Sequence, residues 1–172
     1  MILIGLGANM PHPDHGEPVK TLAAAVRRLA SSVNLVGQSS WYRTAPVPLS
    51  DQPWFANAVV HIETELPAPD LLNLLHDIEA EFGRVRREKW AARLIDLDLL
   101  AYHDQVTENT DQISGPVVPH PLLETRAFVL APIAEIAPDW RHPVSGKTAP
   151  ELLKELPDGQ VFDIIRAGDV PT

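Results

Sequence analysis

Cysteine is absent from all 172 residues, which excludes a disulfide framework, thiolate-held zinc and a cysteine nucleophile. Positive charge is scarce: 14 Lys and Arg stand against 23 Asp and Glu, a formal charge of −9. That balance argues against a surface that is one broad footprint for nucleic acid. Long apolar runs are missing too. No stretch approaches the roughly 18 residues of a membrane span, and the opening MILIGLGANMPHPDHG has neither a basic leader nor an extended apolar segment, so the chain reads as soluble and cytoplasmic. What is plentiful is proline, 17 residues or about twice the usual share. The length suits one domain with a real core, taken as residues 1–172.

The apolar run Ile2 to Leu6, closed by Gly5, Gly7 and Asn9, reads as a buried strand entering a tight turn. Val19, Leu22, Val26 and Leu29 recur at helical spacing behind Pro18. Residues Val33 to Arg43 and Phe55 to Thr64 read as two strands of a hairpin with a stiff, proline-rich tip. A second helix carries Leu71, Leu75, Ile78 and Phe82 on one face and stops at Gly83. LIDLDLLAY then has strand length and is apolar on both faces. The order β-α-β-β-α-β predicts an α+β, ferredoxin-like core. C-terminal additions follow: helices near Thr125–Ile136 and Ala149–Leu156, and a strand near Val161–Ile165.

Asp96 and Asp98 are the sharpest chemical signal, because a period of two places both carboxylates on one side of a strand, with Leu94 and Leu100 as neighbours. Two acids on an apolar face call for a partner. A hard divalent cation with phosphate oxygens is one such partner, and water or arginine at the strand end is the other. Just upstream lie Arg84, Arg86, Arg87, Lys89 and Arg93, five of the chain's 14 cations, with Glu88 as the only acid among them. Guanidinium forks match phosphate geometry, so this loop suits a metal–polyphosphate, unless it is simply a solvated loop. Trp90 in the loop either covers a planar ligand or packs on the loop's base. Asn57, among Trp54, Phe55 and the prolines, carries the donor and acceptor pair that reads a heterocycle edge, or else bonds a loop backbone. His120, Arg126 and Phe128 form a weaker group, while His61, His76, His103 and His142 lack metal-ligand spacing.

GLGAN, SSWYRTAPV with DQPWFANAVV, IEAEFGRVR, KWAARLIDLDLL and VPHPLLETRAFVLAPIAEIAP, in that order, resemble the 6-hydroxymethyl-7,8-dihydropterin pyrophosphokinases of folate synthesis. The resemblance covers most of the chain. It implies a ferredoxin-like monomer, active in the cytoplasm, that moves the β,γ-pyrophosphoryl group of ATP to the dihydropterin hydroxymethyl oxygen and releases AMP. It implies two Mg²⁺ ions on Asp96 and Asp98, with Asp98 as a candidate proton acceptor, and phosphate contacts from Arg84 and Arg93 under the aromatic lid Trp90. It implies that Asn57 reads the pterin edge between Phe55 and Phe128, that Thr44, Pro46 and Val47 complete the pocket, and that Glu79, His120 and Arg126 contact the nucleotide. ATP and the dihydropterin are the expected partners, with neither nucleic acid nor membrane. Departures are Ala91-Ala92 before Arg93 where Gly-Pro is common, Ala45 in place of a proline, Ala8 for Ser, Phe55 for Tyr, and Pro121 for an aromatic. Two other readings of the residues are another magnesium-dependent nucleotidyl- or phosphotransferase on this fold, and an RNA-binding ferredoxin-like module, which the acidic charge and the missing RNP pattern disfavour.

Overall fold

A computed structural model describes residues 1–46, 48–84, 94–108 and 115–166. The sheet runs in the order 96–102, 2–8, 55–63, 42–44 and 162–164, with 34–38 also paired to 55–63, and all of its pairings are antiparallel. Its strands are β1 (Ile2–Ala8), β2 (Asn34–Gln38), β3 (Tyr42–Thr44), β4 (Phe55–Glu63), β5 (Asp96–Tyr102) and β6 (Phe162–Ile164). The helices are α1 (Pro18–Ala30), α2 (Ala68–Glu81), α3 (Ala127–Ile136) and α4 (Ala149–Glu155), and a single 3₁₀ turn, Leu123–Thr125, precedes α3. The order up to β5 is therefore βαβββαβ, one strand more than the expected βαββαβ, and it is extended by α3, α4 and β6.

Three expectations are corrected. The strand read across Val33 to Arg43 is two strands, broken where Ser39 turns its own hydroxyl to the neighbouring strand and accepts the Val59 N–H at 3.0 Å. Gly5 and Gly7 lie inside β1 rather than in a turn. Leu94 precedes β5, so the strand face that bears the two aspartates begins at Asp96.

Alternation decides which face each side chain joins. Ile2, Ile4 and Leu6 of β1 and Leu97 and Leu99 of β5 meet the apolar stripes of α1 and α2, including Leu22, Leu29, Leu71, Leu75 and Ile78. The opposite face is covered at one end: Leu3, Val59 and Leu100 pack against Leu130 and Ile133 of α3 and Leu152 of α4. A bulge at Leu100, between the pairs Ile4–Leu99 and Leu3–Ala101, lets that residue fill the second core. Among the described residues, the other end of this face, at Gly5, Gly7, Asn57, Asp96 and Asp98, lines a cavity that Phe128 and Val129 of α3 flank.

His142 is a filler of the second core's edge, 3% exposed, with Nδ1 accepting the N–H groups of Val144 and Ser145 at 3.4 and 3.3 Å. Burial holds its imidazole below the ordinary 6.5, while the Glu124 carboxylate, 3.4 Å away, pulls the other way. The native state then binds fewer protons than the unfolded one, so the stabilisation is present above pH 6.5 and is lost as the pH falls below it. Thermal unfolding is expected to show a lower Tm at pH 5 than at pH 7.5, and His142→Gln a shallower drop; an equal drop would contradict the assignment.

Candidate active site

A cavity of about 170 Å³ stands on the Gly5 and Gly7 end of the sheet, and β1 makes its floor. Gly7 pairs with Asn57 on one side and Asp96 on the other; Gly5 pairs likewise with Val59 and Asp98. In the middle strand the two glycines leave the hollow open. A Cβ on Gly7 would lie 3.0 Å from Asn57 Oδ1, and one on Gly5 would lie 3.3 Å from Leu100 Cδ1.

One wall is polar. Asn57 is 5% exposed, and its Nδ2 donates to Thr44 Oγ1 at 2.7 Å, which sets the orientation of the amide. Phe55 from the same strand and Phe128 from α3 line the space, as do Thr44 and Pro46. The rim loop is fastened from below: Asn9, at the end of β1, donates to the Pro53 carbonyl at 3.1 Å and to Gln52 Oε1 at 3.3 Å. Glu135 of α3 accepts from Tyr42 Oη at 2.8 Å and from the Ser40 N–H and hydroxyl, both at 2.9 Å, and so binds β3 to α3. Ser40 and Glu135 were not singled out in the sequence, and Asn9 only as a turn residue, because their partners are distant along the chain.

The opposite wall is anionic. Asp96 and Asp98 both line the cavity, half-buried. Arg84 Nη1 sits 2.5 Å from Asp96 Oδ1 and also pairs with Glu79 Oε1. Glu79 itself is 2% exposed and accepts the Leu97 N–H at 2.7 Å. Burial pushes the Glu79 carboxyl up to about 7, with Asp96 and Asp98 adding to the push while the Leu97 N–H and Arg84 oppose it. Glu79 thus stands behind Arg84 and braces β5. A sequence signal for this existed: Glu79 follows Leu75 by four residues and falls on the apolar stripe of α2.

The remaining candidates fall nearby. Arg126, expected at the nucleotide, lines the cavity with its guanidinium 5.5 Å from the Phe128 ring centroid. His120 is held to β5 by its N–H on the Leu100 carbonyl at 2.8 Å. Its Nδ1 accepts the Leu122 N–H at 3.1 Å, which leaves Nε2 as the protonated nitrogen of the neutral ring. Burial, helped by Arg126, holds the His120 imidazole below its ordinary value, against the pull of Asp96. Val47, Trp90 and Arg93 lie outside the described residues.

Among the described residues no three His, Asp or Glu side chains converge to hold a metal. Two hard carboxylates on one strand face suit Mg²⁺, which takes one or two carboxylates and fills its octahedron with water and substrate phosphate. The described residues also contain no helix long and apolar enough to cross a membrane.

Comparison with known proteins gives one consistent answer. The family model for 7,8-dihydro-6-hydroxymethylpterin-pyrophosphokinase (HPPK) matches residues 3–138. The chain is 43% identical to the 2-amino-4-hydroxy-6-hydroxymethyldihydropteridine pyrophosphokinase of Methylorubrum extorquens, over 89% of this chain and 91% of that protein. It is 38% identical to the enzyme of the same name from Pseudomonas aeruginosa, over 91% of each. In fold it is similar to wild-type HPPK-DHPS of Plasmodium falciparum, with a TM-score of 0.67 and 14% identity, covering 89% of this chain and 44% of that one. A triple mutant of that protein gives a TM-score of 0.70 at 15% identity, again covering 89% of this chain and 42% of the other. The chain thus spans less than half the length of those solved chains. A family match across most of its length, joined to relatives nearly as long as itself, decides between the readings left open above: this chain belongs to the 7,8-dihydro-6-hydroxymethylpterin-pyrophosphokinase family, enzymes of folate synthesis that transfer a pyrophosphoryl group to hydroxymethyldihydropterin.

Proposed function

We propose that the cavity takes the ring of 6-hydroxymethyl-7,8-dihydropterin, read by Asn57 and Thr44 between Phe55 and Phe128, and that Asp96 and Asp98 hold two Mg²⁺ ions against the triphosphate of ATP. The carrying observation is the row Asn57–Gly7–Asp96 across three adjacent strands. Two inter-strand spacings separate the amide from the carboxylate, about 10 Å along the floor. A fused heterocycle spanning that floor presents its far substituent to the anionic wall.

In the transfer the pterin hydroxymethyl oxygen forms a bond to the β-phosphorus, the bond from that phosphorus to the α,β-bridging oxygen breaks, and AMP departs with the electron pair. The hydroxyl proton is lost, and in this reading Asp98 accepts it. Bound magnesium supplies charge neutralisation across the phosphates. The chain's own residues align: Asn57 and the two phenylalanines orient the acceptor, and Arg84, with Arg93, meets phosphate charge that grows as the bridging oxygen leaves. Glu79 acts through Arg84. His120 offers Nε2–H, and Arg126 a guanidinium, to the phosphate side. Pro46 lines the cavity, and the resemblance assigns Trp90 to ATP and Val47 to the pterin. The same reading takes residues 1–172 as one domain, acting as a cytoplasmic monomer on small molecules rather than on nucleic acid.

The test is direct. Protein, Mg²⁺, ATP and the hydroxymethyl-dihydropterin are expected to give AMP, and to give none when the pterin is left out. Formation of ADP, or of AMP without the pterin, would sink the reading.

A further inference from the structure

We infer that Gln160 is a positioning residue for the pterin pocket, a role that rests on the pocket assignment just made. Gln160 lies beyond the residues that match the family model, 3–138. Its side-chain amide closes a two-point clasp on the segment entering α3: Oε1 accepts the Ala127 N–H at 2.8 Å, and Nε2 donates to the Thr125 carbonyl at 2.8 Å. Between those two backbone groups sits Arg126, and one residue past them Phe128, both on the cavity wall.

The clasp matters because the start of α3 has no cap of its own. Arg126 occupies the cap position and makes no side-chain capping bond, so the first N–H of the helix depends on an outside acceptor. Gln160 supplies it. The residues that follow Gln160 run to the other wall: the Val161 carbonyl accepts the Ala45 N–H at 3.2 Å, Phe162 pairs with Thr44, and the Ile165 N–H reaches the Trp41 carbonyl at 2.7 Å. Residues 160–165 therefore form a strap from the α3 wall, bearing Phe128, to the β3 wall, bearing Thr44. Its hydrogen bonds to both walls set the width between the aromatic face and the polar side chains. The strap does not touch Asp96 or Asp98 on the far side of β1, where the ATP phosphates are expected; it reaches the phosphate side only through Arg126, held inside the clasp.

The test uses the full chain with Gln160→Met, which keeps volume and removes both hydrogen bonds, and Gln160→Ala. Binding of 6-hydroxymethyl-7,8-dihydropterin is measured in the presence of Mg²⁺ and a non-hydrolysable ATP analogue, alongside affinity for the analogue alone and Tm. Both variants are expected to raise the pterin Kd roughly 5- to 20-fold, the worth of about one to two hydrogen bonds, with a smaller loss of analogue affinity, about two- to fourfold, passed on through Arg126 alone. In a Phe128→Ala background, Gln160→Met should add less than about twofold, because its effect passes through that wall. Parallel loss of pterin and ATP-analogue affinity, or full additivity with Phe128→Ala, would indicate a merely structural residue and overturn the role. Asn57→Ala serves as the control. A weakened Asn57 variant beside an unchanged Gln160 variant rejects the clasp alone, and unchanged pterin affinity in both rejects the pocket assignment and the clasp with it.

Discussion

Asp98→Ala is expected to lower AMP formation by at least about 10³-fold while leaving the fold intact, and Asp96→Ala to do the same. The loss follows from what the carboxylates hold. Metal-assisted charge neutralisation is worth several kcal/mol in the transition state, and about 4 kcal/mol is a thousandfold in rate. Stability should move little or even rise. Both aspartates lie half-buried, and their charges add to the push that burial gives the Glu79 carboxyl, so removing Asp98 relieves like-charge repulsion, while in Asp96→Ala that relief offsets the loss of the ion pair with Arg84, which keeps Glu79 as a partner. Asp98→Asn separates charge from shape, since it keeps the outline and cannot match the carboxylate toward magnesium. Initial-rate AMP assays beside thermal melts make the check. Wild-type turnover in either alanine variant would remove the metal assignment, and an unfolded variant would show that the pair is structural.

The second large effect belongs to the polar wall. Asn57→Ala should weaken pterin affinity roughly 10- to 100-fold, because a buried reader lost from a closed pocket leaves ligand polar groups unpaired at about 1–3 kcal/mol. ATP-analogue affinity should stay near the wild-type value. Gly7→Ala is expected to reproduce much of that defect without touching any polar atom. Its new Cβ would come to 3.0 Å of Asn57 Oδ1, and that amide has little freedom to move while Nδ2 is held by Thr44 at 2.7 Å. Calorimetric titration with pterin and, separately, with ATP analogue reads both. Equal losses for the two ligands, or a silent Gly7→Ala, would put the reader elsewhere.

Much of the architecture was legible along the chain. The stripes Leu22–Leu29 and Leu71–Ile78 marked α1 and α2 within a few residues of their ends, since helical period is written in neighbours three and four apart. The same arithmetic put Asp96 and Asp98 on one strand face, which β5 bears out. The break at Ser39 was not legible, because a hydroxyl replacing a backbone acceptor depends on the strand opposite. The glycines of GLGAN misled for a related reason. A turn and an empty floor demand the same residue, and only pairing with β4 and β5 distinguishes them.

By itself the sequence determined the kinds of chemistry present: two hard carboxylates, a concentration of arginines that opposes the −9 total, an amide among aromatics, and the alternation that builds a ferredoxin-like core. The tertiary structure alone decided how they meet. Antiparallel pairing set Asn57, Gly7 and Asp96 in one row, burial drew Glu79 behind Arg84, and the clasp of Gln160 on Ala127 joined residues 33 apart. Local periodicity is carried by adjacent residues, whereas a row across strands exists only after non-local pairing has overcome the entropy of closing the chain.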